Sequence, residues 1–188
     1  MKLGIFGGSF DPPHAGHLWL CRSAQELYHL DSIAMVPNAL SPLKDHKHTE
    51  AHHIVAMTRL TAFECESTYC DTTEICRDKV SYTIDTVKLF KDHYPEDDLY
   101  LLLGGDSLLD FYRWKDPNEL VEIIGHEHIL VAERSTAPLM AHKFRSLPMP
   151  YIQVSSTDIR NRIKNHLTIK GLVVDSVREY IIERKLYL

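Results

Sequence analysis

Two histidines three residues apart, His14 and His17, stand directly behind the stretch GGSFDPP at residues 7–13. Imidazoles at that spacing share one face of a helix's first turn. There, free backbone N–H groups and the helix dipole favour an anion. Gly7 and Gly8 let a backbone approach a ligand with no side chain in the way. Pro12 and Pro13 are tolerated just before or at a helix start because no hydrogen bond is lost there. Far along the chain, VSSTDIRNRI at residues 154–163 sets Ser155, Ser156 and Thr157 at a second helix start, with Asp158 in its first turn and Arg160 following. Hydroxyls at a helix N-terminus plus the guanidinium fork of an arginine suit phosphate oxygens. Each stretch alone also fits a plain structural role, the first as a capping histidine beside a buried one, the second as an ordinary capped helix. Neither G-x-G-x-x-G nor G-x-x-x-x-G-K-[ST] occurs, so the dinucleotide fingerprint and the P-loop are both missing. Together the two stretches imply a ligand with several phosphates held between two helix ends.

The elements that must position these residues follow from periodicity. Short apolar runs at residues 3–6, 32–36, 68–75, 99–103, 128–132 and 151–154 read as strands. Residues 14–30, the segment carrying Ile54, Met57, Leu60 and Ala62, and residues 82–93, 106–111, 117–124, 156–165 and 175–184 read as helices. The run LYLLL at residues 99–103 is apolar throughout, as expected of a parallel strand covered on both faces. The alternation predicts an α/β fold, a doubly wound, Rossmann-like parallel sheet with helices on both faces. Such sheets bind ligands beyond the carboxyl ends of their strands. The turn at residues 7–9, the turn Gly104, Gly105 and Asp106, and the turn at residues 155–157 all follow predicted strands, so all three face one rim. No repeat, low-complexity tract or composition break marks a linker, and a single domain over residues 1–188 is expected.

Composition narrows the partners. The chain has 188 residues, 44% hydrophobic and 25% charged, with a formal net charge of -5. Nothing in that balance draws the protein to nucleic acid or to an anionic membrane. No apolar stretch approaches the roughly 20 residues of a membrane span, and a cytoplasmic protein is expected. Cys21, Cys65, Cys70 and Cys76 form no C-x-x-C pair and are expected as reduced thiols, some of them in the core. His46, His48, His52 and His53 lie near those cysteines in sequence, and His48 and His52 stand four apart, a ligand-like spacing. With no second half-site, exposed loop histidines are expected rather than a metal centre.

GGSFDPPHAGHL resembles the (T/H)xGH motif of the nucleotidylyltransferase superfamily, and VSSTDIR resembles its S[ST]xxIR partner motif. The segments SYTIDT at residues 81–86, LLLGGDSL at 101–108, Trp114 with Lys115, and the closing VREYIIERKLY are similar to one branch, the bacterial nicotinate-nucleotide adenylyltransferases. The resemblance implies transfer of the adenylyl group of ATP to nicotinate mononucleotide, with release of pyrophosphate, a step of NAD biosynthesis. Carried over residue by residue, it assigns the chemistry to His14, His17, Lys44 and Arg160. ATP would lie against Gly7, Gly8, Ser9, Phe10, His17, Gly104, Asp106, Ser155, Ser156, Thr157 and Arg160. Nicotinate mononucleotide would lie against Ser9, Lys44, Tyr82, Thr83, Asp106 and Trp114. Magnesium would be delivered with ATP, and no dedicated metal ligands are expected. The chain departs from the family where Pro42-Leu43-Lys44 replaces the usual Pro-His-Lys, and where Val174 replaces a frequent proline. Phosphopantetheine adenylyltransferases share the end motifs but are shorter and lack the SYTxxT and Trp114 features. Together with a preference for nicotinamide mononucleotide, they form the alternative. Monomer and homodimer are both compatible with the sequence.

Overall fold

The computed structural model describes residues 1–39, 49–77, 80–132 (Asp106 by its backbone alone) and 144–188. Lys44, His46 and His48 lie outside the described residues. The strands are β1 (Lys2–Gly8), β2 (Ser32–Pro37), β3 (Thr68–Cys70), β4 (Asp98–Leu103), β5 (Ile129–Ala132) and β6 (Arg145–Leu147). They form one sheet in the order β3-β2-β1-β4-β5-β6, and every neighbouring pair is parallel. The helices are α1 (Ala15–Tyr28), α2 (Ala51–Phe63), α3 (Thr73–Arg77), α4 (Thr83–His93), α5 (Gly105–Asp110), α6 (Pro117–Ile124), α7 (Ser156–Lys164) and α8 (Asp175–Glu183).

The doubly wound expectation holds, and the period of two explains how the sheet is covered. Along β1 and β4, Leu3, Ile5, Leu99, Leu101 and Leu103 face one side, where Ile84, Val87 and Phe90 of α4 and Leu120 and Ile124 of α6 close over them. Phe6, Tyr100 and Leu102 face the other side, against Leu18, Cys21 and Ala24 of α1. A third cluster joins Met57 of α2 to Ile159 of α7 and to Val177 and Ile181 of α8. Because the order runs outward from β1 in both directions, connections diverge between β1 and β4, and a crevice opens at their carboxyl ends. Gly7 and Gly8 of β1 and Leu103 of β4 stand at that crevice.

Two expected strands are corrected. The run 68–75 is a strand only to Cys70, because the Asp71 carboxylate accepts the Thr73 N–H at 2.8 Å and starts α3 instead. Residues 151–154 form no strand. The sixth strand lies earlier, at Arg145–Leu147, where Leu130, Val131 and Ala132 of β5 supply its partners. Pro148 and Pro150, with no N–H to donate, end the ladder there. Residues 151–155 then carry the chain to α7 with only Val154 buried. Val174 is the N-cap of α8 with φ −65°, the angle that a proline ring imposes, so the departure at this position leaves the helix start unchanged.

Cys21 and Cys65 are buried, Cys70 is half-buried and Cys76 exposed, all as free thiols. His52 and His53 sit on the first turn of α2 rather than in a loop. His53 Nδ1 lies 2.8 Å from the Tyr180 hydroxyl, and desolvation, helped by the neighbouring His52, lowers its pKa. Among the described residues no group of three His, Cys, Asp or Glu side chains could hold a metal ion. None of their helices is long and apolar enough to cross a membrane.

Candidate active site

The opening turn is built on a buried ring. Phe10 adopts φ +46° and is 1% exposed, packing edge-on against Phe6 at 5.3 Å and against His17 at 5.0 Å. A Cβ added at Gly8 would meet ring carbons of Phe10 at 2.9 to 3.2 Å, whereas one added at Gly7 would meet nothing within 4 Å. The two glycines therefore serve different ends. Gly8 makes room for the ring beneath the turn, and Gly7 leaves space open above it. Phe10 forms the floor of the turn, so any ligand contact at this position belongs to its backbone.

α1 begins at Ala15, one residue later than expected. His14 is thus its N-cap, in extended geometry, and not a member of the first turn. The pair still converges, with imidazole centroids 3.6 Å apart and planes inclined by only 21°. His17 Nδ1 accepts the backbone N–H of His14 at 3.1 Å. A neutral imidazole that accepts at Nδ1 carries its proton on Nε2, so His17 offers one N–H donor of defined direction.

The second helix end is docked onto the first. Ser155 caps α7: its hydroxyl accepts the Asp158 N–H at 3.1 Å, and the Asp158 carboxylate accepts the Ser155 N–H at 3.1 Å. Ser156 Oγ donates to the Pro12 carbonyl at 2.8 Å. Arg160 Nη1 donates to the Asp11 carbonyl at 2.7 Å, and Nη2 donates to Thr157 Oγ1 at 3.0 Å. Asp11 itself is 3% exposed, and its carboxylate accepts the Tyr187 hydroxyl at 2.7 Å. Sequence reasoning missed Asp11 and Tyr187 as members of the site. Asp11 stands inside the motif but reads as a turn residue, and no periodicity links it to Tyr187.

Beside this junction a cavity of about 320 Å³ is lined by Gly7, Gly8, Ser9, Tyr82, Thr83 and Trp114, which unites residues expected on both substrates. Thr83 is the first residue of α4, so its N–H belongs to the helix-end donors that have no partner within the helix. Trp114 is partly buried against Phe111, ring to ring at 5.4 Å, and it also faces the cavity. Core packing and pocket lining are therefore both true of Trp114. Gly104 is the N-cap of α5 and lies between two lining residues, Leu103 and Ser107, with nothing within 4 Å of an added Cβ. Asp106 falls in the first turn of the same helix.

The cavity also holds charged residues that sequence reasoning did not assign. Lys115 Nζ lies 4.8 Å above the Tyr82 ring and 3.2 Å from Asp85 Oδ1. Its signal was position alone, next to Trp114. Arg113 pairs with Asp110 at 2.8 Å, and the buried Glu74 carboxylate accepts the Thr86 hydroxyl at 2.6 Å. The lining carboxylates thus already have protein partners. An anionic ligand would meet the helix-end N–H groups near Thr83 and the exposed cations Lys115 and Arg113, each of which also pairs with an aspartate.

The cytidylyltransferase-like family model matches residues 5–162. The chain is 34% identical to the probable nicotinate-nucleotide adenylyltransferase of Dictyoglomus thermophilum, over 100% of both chains. It is 36% identical to the protein of the same name from Gemmatimonas aurantiaca, over 100% of this chain and 92% of that one. In fold it is similar to the Plasmodium falciparum nicotinic acid mononucleotide adenylyltransferase complexed with NaAD, with a TM-score of 0.82 at 22% identity, covering 99% of this chain and 97% of the other. With matches that span the whole chain and include both docked helix ends, the protein belongs to the cytidylyltransferase-like family, in its nicotinate-nucleotide adenylyltransferase branch.

Proposed function

We propose that the crevice transfers the adenylyl group of ATP to nicotinate mononucleotide, forming nicotinate adenine dinucleotide and pyrophosphate. The observation that carries this reading is the docking of α7 onto the approach to α1, Ser156 to Pro12 and Arg160 to Asp11, beside a cavity of mononucleotide size. The docking sets two helix N-termini side by side, and two such ends with a guanidinium suit a polyphosphate. The adjoining cavity takes the second nucleotide.

A phosphate oxygen of the acceptor attacks the α-phosphorus of ATP, a new P–O bond forms, and the bond to the bridging oxygen of pyrophosphate breaks. The attacking oxygen is already anionic at neutral pH, so no general base is needed. Catalysis then rests on alignment and on neutralising charge at the five-coordinate centre. His17 donates through Nε2 to the α-phosphate, and His14 completes the donor pair. Arg160 and Lys44 neutralise the remaining phosphate charge. Ser155, Ser156 and Thr157 bring the α7 helix end to ATP. Gly7, Gly8, Ser9 and the Phe10 backbone let the nucleotide lie close to β1, while the turn with Gly104 and Asp106 is assigned to its ribose, whose hydroxyls can donate to a carboxylate. A divalent ion, magnesium, would be delivered with ATP and would add its charge to the neutralisation that Arg160 and Lys44 supply to the phosphates.

On the acceptor side the ring stacks on Trp114, and its carboxylate meets the N–H groups at the start of α4 near Thr83, with Tyr82 and the Lys115 ammonium alongside. We place the reaction in the cytoplasm, in one domain spanning residues 1–188, with small-molecule substrates and no nucleic acid. Purified protein is given magnesium, ATP and, in turn, nicotinate mononucleotide, nicotinamide mononucleotide or phosphopantetheine. The readouts are pyrophosphate and the coupled product. Dinucleotide formed fastest from the nicotinate acceptor supports the reading; turnover of phosphopantetheine alone overturns it.

A further inference from the structure

The segment after α8 does not run off into solvent but folds back onto the opening turn. Lys185 and Tyr187 adopt φ +53° and +65°, left-handed backbone that residues with side chains rarely take. Between them the Leu186 N–H donates to the Ile181 carbonyl at 3.0 Å, and the Leu186 side chain is buried with Ile159, Val177 and Ile181. This anchor delivers the Tyr187 hydroxyl to 2.7 Å from Asp11 Oδ1, across 176 residues of sequence. Asp11 is thereby held at both ends: its carboxylate accepts from Tyr187, and its carbonyl accepts Arg160 Nη1 at 2.7 Å.

We infer that Tyr187 is a positioning residue for the ATP site, acting through Asp11 on the guanidinium of Arg160. The inference rests on the reading of Arg160 as an ATP-phosphate ligand. A guanidinium is planar with five N–H donors in fixed directions. With Nη1 committed to the Asp11 carbonyl and Nη2 to Thr157, the aim of the remaining donors follows the tilt of the Asp11 peptide. A buried carboxylate with a hydrogen-bond donor in place keeps one rotamer and so keeps that peptide from turning. The phenol suits this duty because burial and the adjacent Asp11 carboxylate push its pKa well up, so it remains a donor across the neutral range. Leu186, in turn, ties the whole arrangement to the packing of α7 against α8.

Tyr187→Phe removes only the hydroxyl, and the full chain is assayed with ATP and the nicotinate acceptor. The KM for ATP should rise about five- to tenfold, the size of one ordinary hydrogen bond, because the hydroxyl reaches ATP only through Asp11 and Arg160. kcat at saturating ATP and the KM for the acceptor should stay within about twofold, a split that a general loss of packing does not produce. In an Arg160→Ala background the same substitution should change the KM for ATP by less than about twofold, since coupled residues are not additive. An unchanged KM for ATP in Tyr187→Phe, equal losses toward both substrates, or full additivity with Arg160→Ala each overturns the inference. If Arg160→Ala by itself leaves the KM for ATP unaltered, the phosphate role of Arg160 falls and this inference with it. If Arg160→Ala raises the KM while Tyr187→Phe does not, only the role of Tyr187 is lost.

Discussion

The backbone N–H of His14 is bonded to Nδ1 of His17 at 3.1 Å while the two rings stack at 3.6 Å. The contact satisfies one of the donors that a helix start leaves open, and it fixes which nitrogen of His17 holds the proton. The proposed role of His17 as a phosphate donor would then fall to the opposite edge of the same imidazole.

His17→Ala removes both uses. Losing a donor that acts mainly on the transition state should lower turnover about a hundred- to thousandfold, roughly 3 to 4 kcal/mol. Losing the cap contact should cost about 1 kcal/mol of stability, a drop of about 2 to 4 °C in Tm for a chain of this size. Steady-state kinetics and a melting curve check both. His14→Ala should show a larger fall in Tm, because that ring is buried. Turnover close to the parent's in His17→Ala would remove it from the chemistry.

Arg160→Lys should be clearly impaired toward ATP. An ammonium is a single point donor group and cannot hold the Asp11 carbonyl and Thr157 while also presenting a planar fork to phosphate. ATP titration by calorimetry should show weaker binding, with acceptor binding nearly unchanged. Equal ATP affinity would make Arg160 a structural clasp between α7 and the opening turn.

The two adjacent glycines should separate in their effects. Gly8→Ala drives a methyl group into the Phe10 ring, which abuts His17, and should cost about 1 to 3 kcal/mol of stability as an overpacked site. Gly7→Ala meets no protein atom within 4 Å and should melt like the parent. Its methyl group would stand in the space assigned to nucleotide, so its KM values should rise. Denaturation and kinetics of the two variants side by side test this, and the reverse pattern would refute the assignment of space above Gly7.

Acceptor choice should favour the acid over the amide. N–H donors near Thr83 can serve both carboxylate oxygens, whereas an amide would turn its NH₂ toward a donor and leave a buried group unpaired, at about 1 to 3 kcal/mol. A preference of about tenfold to a hundredfold for nicotinate mononucleotide in kcat/KM is expected, reduced in Trp114→Ala by loss of stacking and water exclusion. Lys115→Met should also narrow the preference, though less, because that ammonium is exposed and paired with Asp85. Comparable efficiency with both acceptors would show that the pocket reads the ring and not its substituent.

Much of this protein was determined by the sequence alone, because it depends on local order. Strands alternating with helices dictate a parallel sheet whose carboxyl ends share one rim, so the turns after β1 and β4, at residues 7–9 and at Gly104, had to face the same side. The turn at residues 155–157, by contrast, follows no strand and is set there by the docking of α7 onto Pro12 and Asp11. The proximity of His14 and His17 is likewise local, set by a spacing of three at a helix start, even though the helix begins one residue later than its pattern suggests. Tertiary structure alone decided which run became the sixth strand. Residues 151–154 have the residue types of a strand, but a strand exists only where a neighbouring edge takes its hydrogen bonds, and β5 gives that edge to Arg145–Leu147. It also decided that Phe10 is floor rather than wall, and that Lys115 lies over Tyr82. The clasp of Asp11 by Tyr187 and Arg160 is the clearest case. Its partners are 176 and 149 residues from Asp11, and no periodicity reaches that far. Only the packing of α7 and α8 together and with Met57 of α2, with Leu186 buried among their side chains, brings a phenol and a guanidinium to opposite ends of one aspartate.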